Sequence, residues 1–370
     1  MTLQKLHLDV DAFAQDVEAL RAELDKERGP EDLEHLRRVR RFTRLLLVAG
    51  WALAWIPLNP VTLIALAWAR TIRWCCVAHH VLHRGYDQVP GMPVELTSKG
   101  FAQGWRRWLD WPDVLEPKAW NREHNQIHHY RLGEDVDADV VELNNELLLR
   151  LPRWLRIPVA AVVACAWKWL YFAPSNAREY IDFHEGHRSP PDRDARIDVG
   201  LLFPWNKYGR QIWRDSYLPT ALTLLLPPLL FLPLGWEFAL IALGNSLLAE
   251  VLTNLHSFGI VVTNHAGDDV YRFDGKTKSR GEFYIRAVAG SINFRTGGFL
   301  NDLAHGWLNY QIEHHVWPDL SMRQYAAAQP RLQAICQKHG VPYVQESVWR
   351  RVAKLAPVLR GDVVSPKLEI

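Results

Sequence analysis

Two long apolar runs, set apart by a polar middle, constrain this chain more than any other feature. Leu45 to Ala69 carries no charged residue, and Leu218 to Phe258 is a second apolar region. A helix crossing the hydrocarbon core of a bilayer needs about 20 apolar residues, so both runs are candidate membrane segments. Pro57-Leu-Asn-Pro60 interrupts the first run at its middle, which makes it one kinked span or a tight hairpin with short arms. In a hairpin, Arg70 and Arg73 have to snorkel or emerge at the surface. The second run is broken at Pro233-Leu-Gly-Trp-Glu237 and reads as a hairpin, with Glu250 near its returning end. Whole-chain composition hides this pattern: 48% apolar and 23% charged residues resemble an average soluble protein.

Charge then orients the segments. Both turns are short and lack Lys and Arg, whereas the opposite ends carry Arg37–Arg44, Arg70, Arg73, Lys207, Arg210 and Arg214. The positive-inside bias puts those ends and both termini on the cytoplasmic side. A third apolar stretch, 157–173, holds Lys168 between Trp167 and Trp169; on its own it can span or lie in the interface. The segment 176–215 is polar, and 259–370 is mixed in character. The charged N-terminus is no signal peptide; Val10 to Arg38 suggests an amphipathic helix broken near Gly29-Pro30. With 43 basic and 41 acidic side chains the formal charge is +2, which argues against nucleic acid as a partner. The four cysteines form neither a CxxC pair nor a spaced framework, which excludes a disulfide scaffold or a cysteine–zinc site.

Chemistry is concentrated in three histidine clusters. The first is His79-His80-Val-Leu-His83, the second Glu123-His124-Asn-Gln-Ile-His128-His129, and the third Gln311-Ile-Glu313-His314-His315. On a helix His79 and His83 share a face, as do His124 and His128, and Gln311 and His314 are three apart. Isolated histidines such as His7, His35, His80, His184, His187, His305 and His339 are read as ordinary surface or core residues. Three clusters at membrane exits on one side are read together as a metal site. Seven imidazoles exceed the four ligands of one structural zinc, and imidazole suits iron as well as zinc, copper and nickel. Two metals with imidazole ligands at a membrane surface best suit dioxygen activation at iron. Glu123, Asp135, Asp137, Asp139, Asp269, Asp302 and Glu313 are available to accept the second ring N–H of such ligands, with Glu123, Asp269 and Glu313 favoured.

These motifs closely resemble those of the membrane fatty acid desaturases. The resemblance lies in His79-x3-His83, EHNQIHH at 123–129 and QIEHH at 311–315. It extends to NHAGDDVYRF (264–273), GEFYIRAVAGSIN (281–293) and NYQIEHHVWPDLS (309–321), and covers roughly residues 40–345. The family's di-iron ligands then fall on His79, His83, His124, His128, His129, His314 and His315. The family adds a histidine between the last membrane helix and the third box; His265 is chosen, with His256 as the alternative. Gln311 stands where many desaturases have histidine, a form similar to front-end desaturases, although the HPGG motif of their fused cytochrome b5 domain is missing. The implied fold is all-α, an integral membrane protein of two helical hairpins (about four spans) beneath a cytoplasmic helical cap that carries the boxes. The implied division is an N-terminal amphipathic segment (1–40), a desaturase domain (41–345) and a C-terminal tail (346–370).

A shared site also constrains topology. The chain must cross an even number of times between His129 and His265, and the 217–258 hairpin supplies two crossings, so 157–173 is expected to lie in the interface. The implied reaction puts a double bond into an acyl chain, using two irons, O2 and two electrons. The electrons come from a separate ferredoxin or cytochrome b5-like protein, and the acyl group is carried on lipid, coenzyme A or acyl-carrier protein. The alternatives are a hydroxylase or ketolase on the same scaffold and a non-enzymatic metal-binding membrane protein.

Overall fold

The computed structural model describes residues 3–6, 8–186 and 199–370; His7 and His187 lie outside them. The N-terminal segment folds as two helices, Val10–Lys26 and Pro30–Ala52, separated where Gly29 precedes Pro30. Phe13, Val17, Leu20 and Leu24 recur every three or four residues on the first helix and are buried against Met322–His339. Arg21 reinforces that contact with two 2.7 Å bonds to Asp319.

The first apolar run is a hairpin rather than one kinked span. Pro30–Ala52 is charged in its first half and apolar in its second, and it packs along the helix that begins at Pro60. Among the described residues, three helices are long and apolar enough to cross a membrane: Pro60–Leu82, Lys207–Leu234 and Trp236–His265. Leu225, Leu229, Leu230, Trp236, Leu240 and Leu247 are all exposed along the second hairpin. So large an apolar face suits a lipid environment.

Arg70 behaves differently from expectation. It neither snorkels nor emerges: it donates to the carbonyl and hydroxyl of Ser246, both at 2.9 Å, and faces Glu250 at 3.4 Å. Arg73 donates to the carbonyl of Asp110 at 2.8 Å. A partner 180 residues away is invisible to a local reading, yet a charge inside an apolar bundle is tolerated only when paired in this way.

Residues 157–173 do not form one continuous helix. Arg153–Ala164 and Lys168–His184 meet at 88°. The bend is pinned to the Trp236–His265 helix, since Trp167 donates to Ser257, the Lys168 amide to Asn254 and Trp169 to Glu250. Lys168 itself is buried, 2.8 Å from Asp113 and 4.9 Å over the Trp74 ring.

Two small parallel pairings depart from an all-α fold: Leu3–Lys5 with Lys367–Glu369, and Asn293–Phe294 with Gln345–Glu346. Residues 346–370, expected as a tail, are folded. Their helix Val348–Arg360 buries Arg351, which grips Asp269 at 2.6 Å and the carbonyl of Ala266 at 2.7 Å. That grip fixes the segment carrying His265.

Candidate metal centre

Each histidine box is held at a local irregularity of the helix that carries it. The first box follows a π-helical stretch, Ile72–Ala78, and ends at His83, beyond which Arg84 adopts φ 65°. Gly85 comes next, where an added Cβ would lie 2.5 Å from the carbonyl of Leu320; only glycine lets the end of the first box close on the chain after the third. The second box begins in another π-helical turn, Asn121–Asn125, and continues into a 3-10 turn, His128–Tyr130. Such turns often mark functional sites, because they re-aim side chains without ending the helix. The third box is the short buried helix Gln311–Val316, entered through Gly306 (φ 63°) and Trp307 (φ 61°). A Cβ on Gly306 would strike Cys75, so the approach to the third box packs against the helical stretch that leads into the first.

The eight histidines converge, and none is more than 8% exposed. Nitrogens of His79, His83, His124 and His314 lie within 4.8 Å of one another, as do those of His128, His265 and His315. His129 sits between the two groups, its ring 4.3 Å from His83, 4.6 Å from His314 and 4.5 Å from His315. Gln311 joins the second group through its amide nitrogen, 3.1 Å from His265 Nε2 and 2.9 Å from His315 Nε2. Its partner is therefore His315, four residues on, rather than His314. The latter faces His79, with the two Nε2 atoms 2.7 Å apart. His256 lies apart from both groups and bonds the carbonyl of Ala304 at 2.6 Å. His80, read as a core residue, is buried against the carbonyl of Cys76 at 3.0 Å.

The donor set fits a metal. Among the described residues, ring nitrogens of His83, His124, His128, His129, His265 and His315 are buried without a hydrogen-bond partner. Unpartnered buried polar atoms are costly, and imidazole nitrogens crowded this closely suit a cation held among them. Burial first, then mutual repulsion, holds His124, His129, His314 and His315 well below the ordinary imidazole range. They are neutral at physiological pH, the form a metal requires. His128 differs: burial works against its charge, but Asp137 and Asp139 push it up to about 9.

Asp137 is the carboxylate that orients a box histidine. Its Oδ1 lies 2.8 Å from His128 Nδ1, while the amides of Gly133 and Asp139 fix its two oxygens at 2.8 and 2.9 Å. The favoured candidates point elsewhere. Glu123 accepts from Ser175 and Asn176, Glu313 from Asn293 and Tyr343, and Asp269 from Arg351 and Lys354. Asp302 holds Asn309 and Tyr310, and Asp135 accepts from Arg272 at the surface. Two contributors escaped sequence reasoning. The Tyr325 hydroxyl lies 3.1 Å from His314 Nδ1, and Trp120 stacks 4.6 Å from His124. Neither residue belongs to a box, and no spacing signals them.

Comparison with known proteins matches a fatty acid desaturase family model over residues 49–347. The chain belongs to the fatty acid desaturase family. It is similar to the NADPH-dependent stearoyl-CoA 9-desaturase of Mycobacterium tuberculosis, at 26% identity over 94% of this chain and 80% of that protein. An acyl-lipid (9-3)-desaturase of Physcomitrium patens is 24% identical over 77% of this chain and 50% of its own. A Delta(8)-fatty-acid desaturase of Euglena gracilis is 32% identical over 37% of this chain and 32% of its own. This desaturase is thus an oxidoreductase acting on fatty acyl chains, with buried histidine clusters suited to metal.

Asp137→Asn tests the orienting role directly. The amide keeps the volume but can present an N–H where the imidazole N–H needs an acceptor. Activity or metal affinity is expected to fall by about 10- to 100-fold, the usual cost of losing such a partner. Titration of iron into the chelated protein, beside turnover, measures it; unchanged affinity and turnover would exclude the role.

Proposed function

We propose that the protein is a multi-pass membrane desaturase that uses O2 and two irons to place a double bond in an acyl chain, with its site and both termini on the cytoplasmic side. The observation that carries this reading is the pair of imidazole groups, the second of which borders an apolar cavity through His265. His79, His83, His124 and His314 would hold one iron, and His128, His265 and His315 the other, with His129 between them. Gln311 is a candidate ligand to the second, since a half-turn of its amide offers the buried, unpartnered Oε1 to the same point.

A cavity of about 360 Å³ runs between the Arg153–Ala164 helix and the end of Trp236–His265. Val141, Leu148, Val163, Phe258 and Val262 line it, and Asp139 and His265 form part of its wall. The size and apolar lining are those of a site that binds by excluding water. An acyl chain seated there lies against His265, and the apolar walls limit the positions its methylenes can take. When bound, the irons supply the oxidising power that removes hydrogen from an unactivated methylene. The protein's own work is to orient His128 through Asp137, keep His124, His129, His314 and His315 neutral and exclude water. Electrons come from a separate donor, a ferredoxin or cytochrome b5-like protein.

Protein expressed with iron supplementation is expected to hold about two irons per chain. Lipids of the expressing host should gain an unsaturated acyl species only when O2 is present. One tightly held zinc per chain, with no iron-dependent product, would overturn the di-iron reading.

The same reading implies four crossings: the apolar half of Pro30–Ala52, then the three candidate spans Pro60–Leu82, Lys207–Leu234 and Trp236–His265. The bent pair between Arg153 and His184 then enters and leaves on one side. Cysteines placed at the exposed positions Arg153 and His184, in a Cys165→Ser background, should be labelled from the same face of sealed vesicles. Labelling from opposite faces would break the shared-side requirement.

A further inference from the structure

Away from the metal centre, an open groove of about 770 Å³ lies where the charged half of Pro30–Ala52 gives way to its apolar half. Arg38, Arg41, Phe42 and Leu45 form one wall, and Phe299 and Leu300 form the other. The Arg38 guanidinium stands 4.1 Å over the Phe299 ring, which packs edge-on against Phe42 at 5.9 Å. Stacking of this kind holds an arginine in place while leaving its N–H fork free to bind an anion. Arg37, Arg38 and Arg44 make no ion pair among the described residues, and Arg41 meets only the surface carboxylate of Glu34. Asp302, the acid nearest in sequence to the Phe299 wall, is committed to Asn309 and Tyr310. Just beyond the arginines, Leu45 is 67% exposed and Leu300 57% exposed. The groove is therefore cationic at one level and apolar at the next.

We infer that this groove binds one anionic phospholipid, its phosphate between Arg38 and Arg41 and its acyl chains along Leu45 and Leu300. The inference needs only that the apolar half of Pro30–Ala52 lies in the bilayer; it is independent of the iron assignment. Guanidinium groups bind phosphate through paired N–H donors, and basic residues beside a membrane helix favour anionic lipid. A soluble phosphate would use the arginines but leave the leucines exposed, which is why the occupant is a lipid. The groove's far wall opens the segment Phe299–Ala304, whose last carbonyl meets His256 and whose Asp302 braces the approach to the third box. A lipid seated there steadies that approach.

Native mass spectrometry of the full chain, with equimolar phosphatidylglycerol and phosphatidylcholine of the same acyl chains, tests the site. The wild type should retain phosphatidylglycerol several-fold over phosphatidylcholine. Arg38→Gln/Arg41→Gln should bring the two lipids to parity, whereas Arg150→Gln/Arg153→Gln, which removes the same charge elsewhere, should keep the preference. Leu300→Asp, at an exposed position, puts a carboxylate in the groove with every arginine intact and should also abolish it; this keeps the test alive if the double variant unfolds. Parity in the wild type, equal loss in the Arg150/Arg153 variant, or an unchanged preference in Leu300→Asp would overturn the lipid site. Displacement of phosphatidylglycerol by millimolar inorganic phosphate would assign the arginines to a soluble anion instead.

Discussion

His128→Ala and His315→Ala are each expected to abolish unsaturated product, a loss of at least about 100-fold, while the protein still reaches the membrane. Losing only the hydrogen-bond partner of a ligand costs about 10- to 100-fold, so losing the ligand itself costs more. His128 belongs to two convergent groups, one with His265 and His315 and one with His124 and Asp139. His315 stacks on His129 at 4.5 Å and also meets Gln311, so its removal opens the second group on two sides. The stability outcome has the opposite sign from an ordinary core deletion. Iron-free wild type buries a crowd of mutually facing nitrogens, several without partners, and removing one imidazole relieves part of that cost. Iron-free His315→Ala should therefore unfold no earlier than iron-free wild type, while iron should raise the unfolding temperature of the wild type far more than that of the variant. His184→Ala, on an exposed helix end outside the boxes, serves as the silent control. Normal product from His315→Ala would remove the residue from the site, and a sharp loss of iron-free stability would make its role structural.

What the sequence made legible was convergence; it did not reveal which atoms meet. A spacing of four correctly pairs His79 with His83, whereas His124 and His128 stack at 5.1 Å yet enter different imidazole groups. The assumed cause differs in the second box, where a π-helical turn and a 3-10 turn replace one continuous helix. In the third box, adjacent residues on a helix diverge by about 100°. His314 and His315 thus serve different groups, and Gln311 pairs with His315 one full turn away. The same divergence explains the orienting carboxylates. Glu123 and Glu313 adjoin box histidines in sequence and for that reason point away from them, toward Asn176 and Tyr343. Asp137, nine residues beyond His128, returns to it through a turn that no periodicity describes. Arg70 with Glu250 and Lys168 with Asp113 were illegible for a simpler reason: the partners lie on different elements, and only packing brings them together. The hairpins were legible because hydrocarbon thickness sets a length that local sequence must meet.

His265→Ala is expected to lose iron and product together, whereas His256→Ala should keep most of both. The two histidines lie near the end of the same long helix, and sequence offers no strong reason to prefer either. Their surroundings differ. His265 stands among imidazoles, its ring 4.8 Å from His128 and 5.1 Å from His315, with Nδ1 buried and unpartnered. Arg351 fixes the segment just after it by holding Ala266 and Asp269, so the imidazole arrives already positioned. His256 has its bond to the Ala304 carbonyl, and losing one such bond costs about 0.5–1.5 kcal/mol of stability without touching the metal. Iron content has to be measured beside turnover, because His265 also lines the apolar cavity. Iron and product lost together assign His265 as a ligand. Full iron with no product makes it a substrate-positioning group and overturns the ligand assignment, and full iron in His265→Ala with iron lost in His256→Ala transfers the assignment to His256.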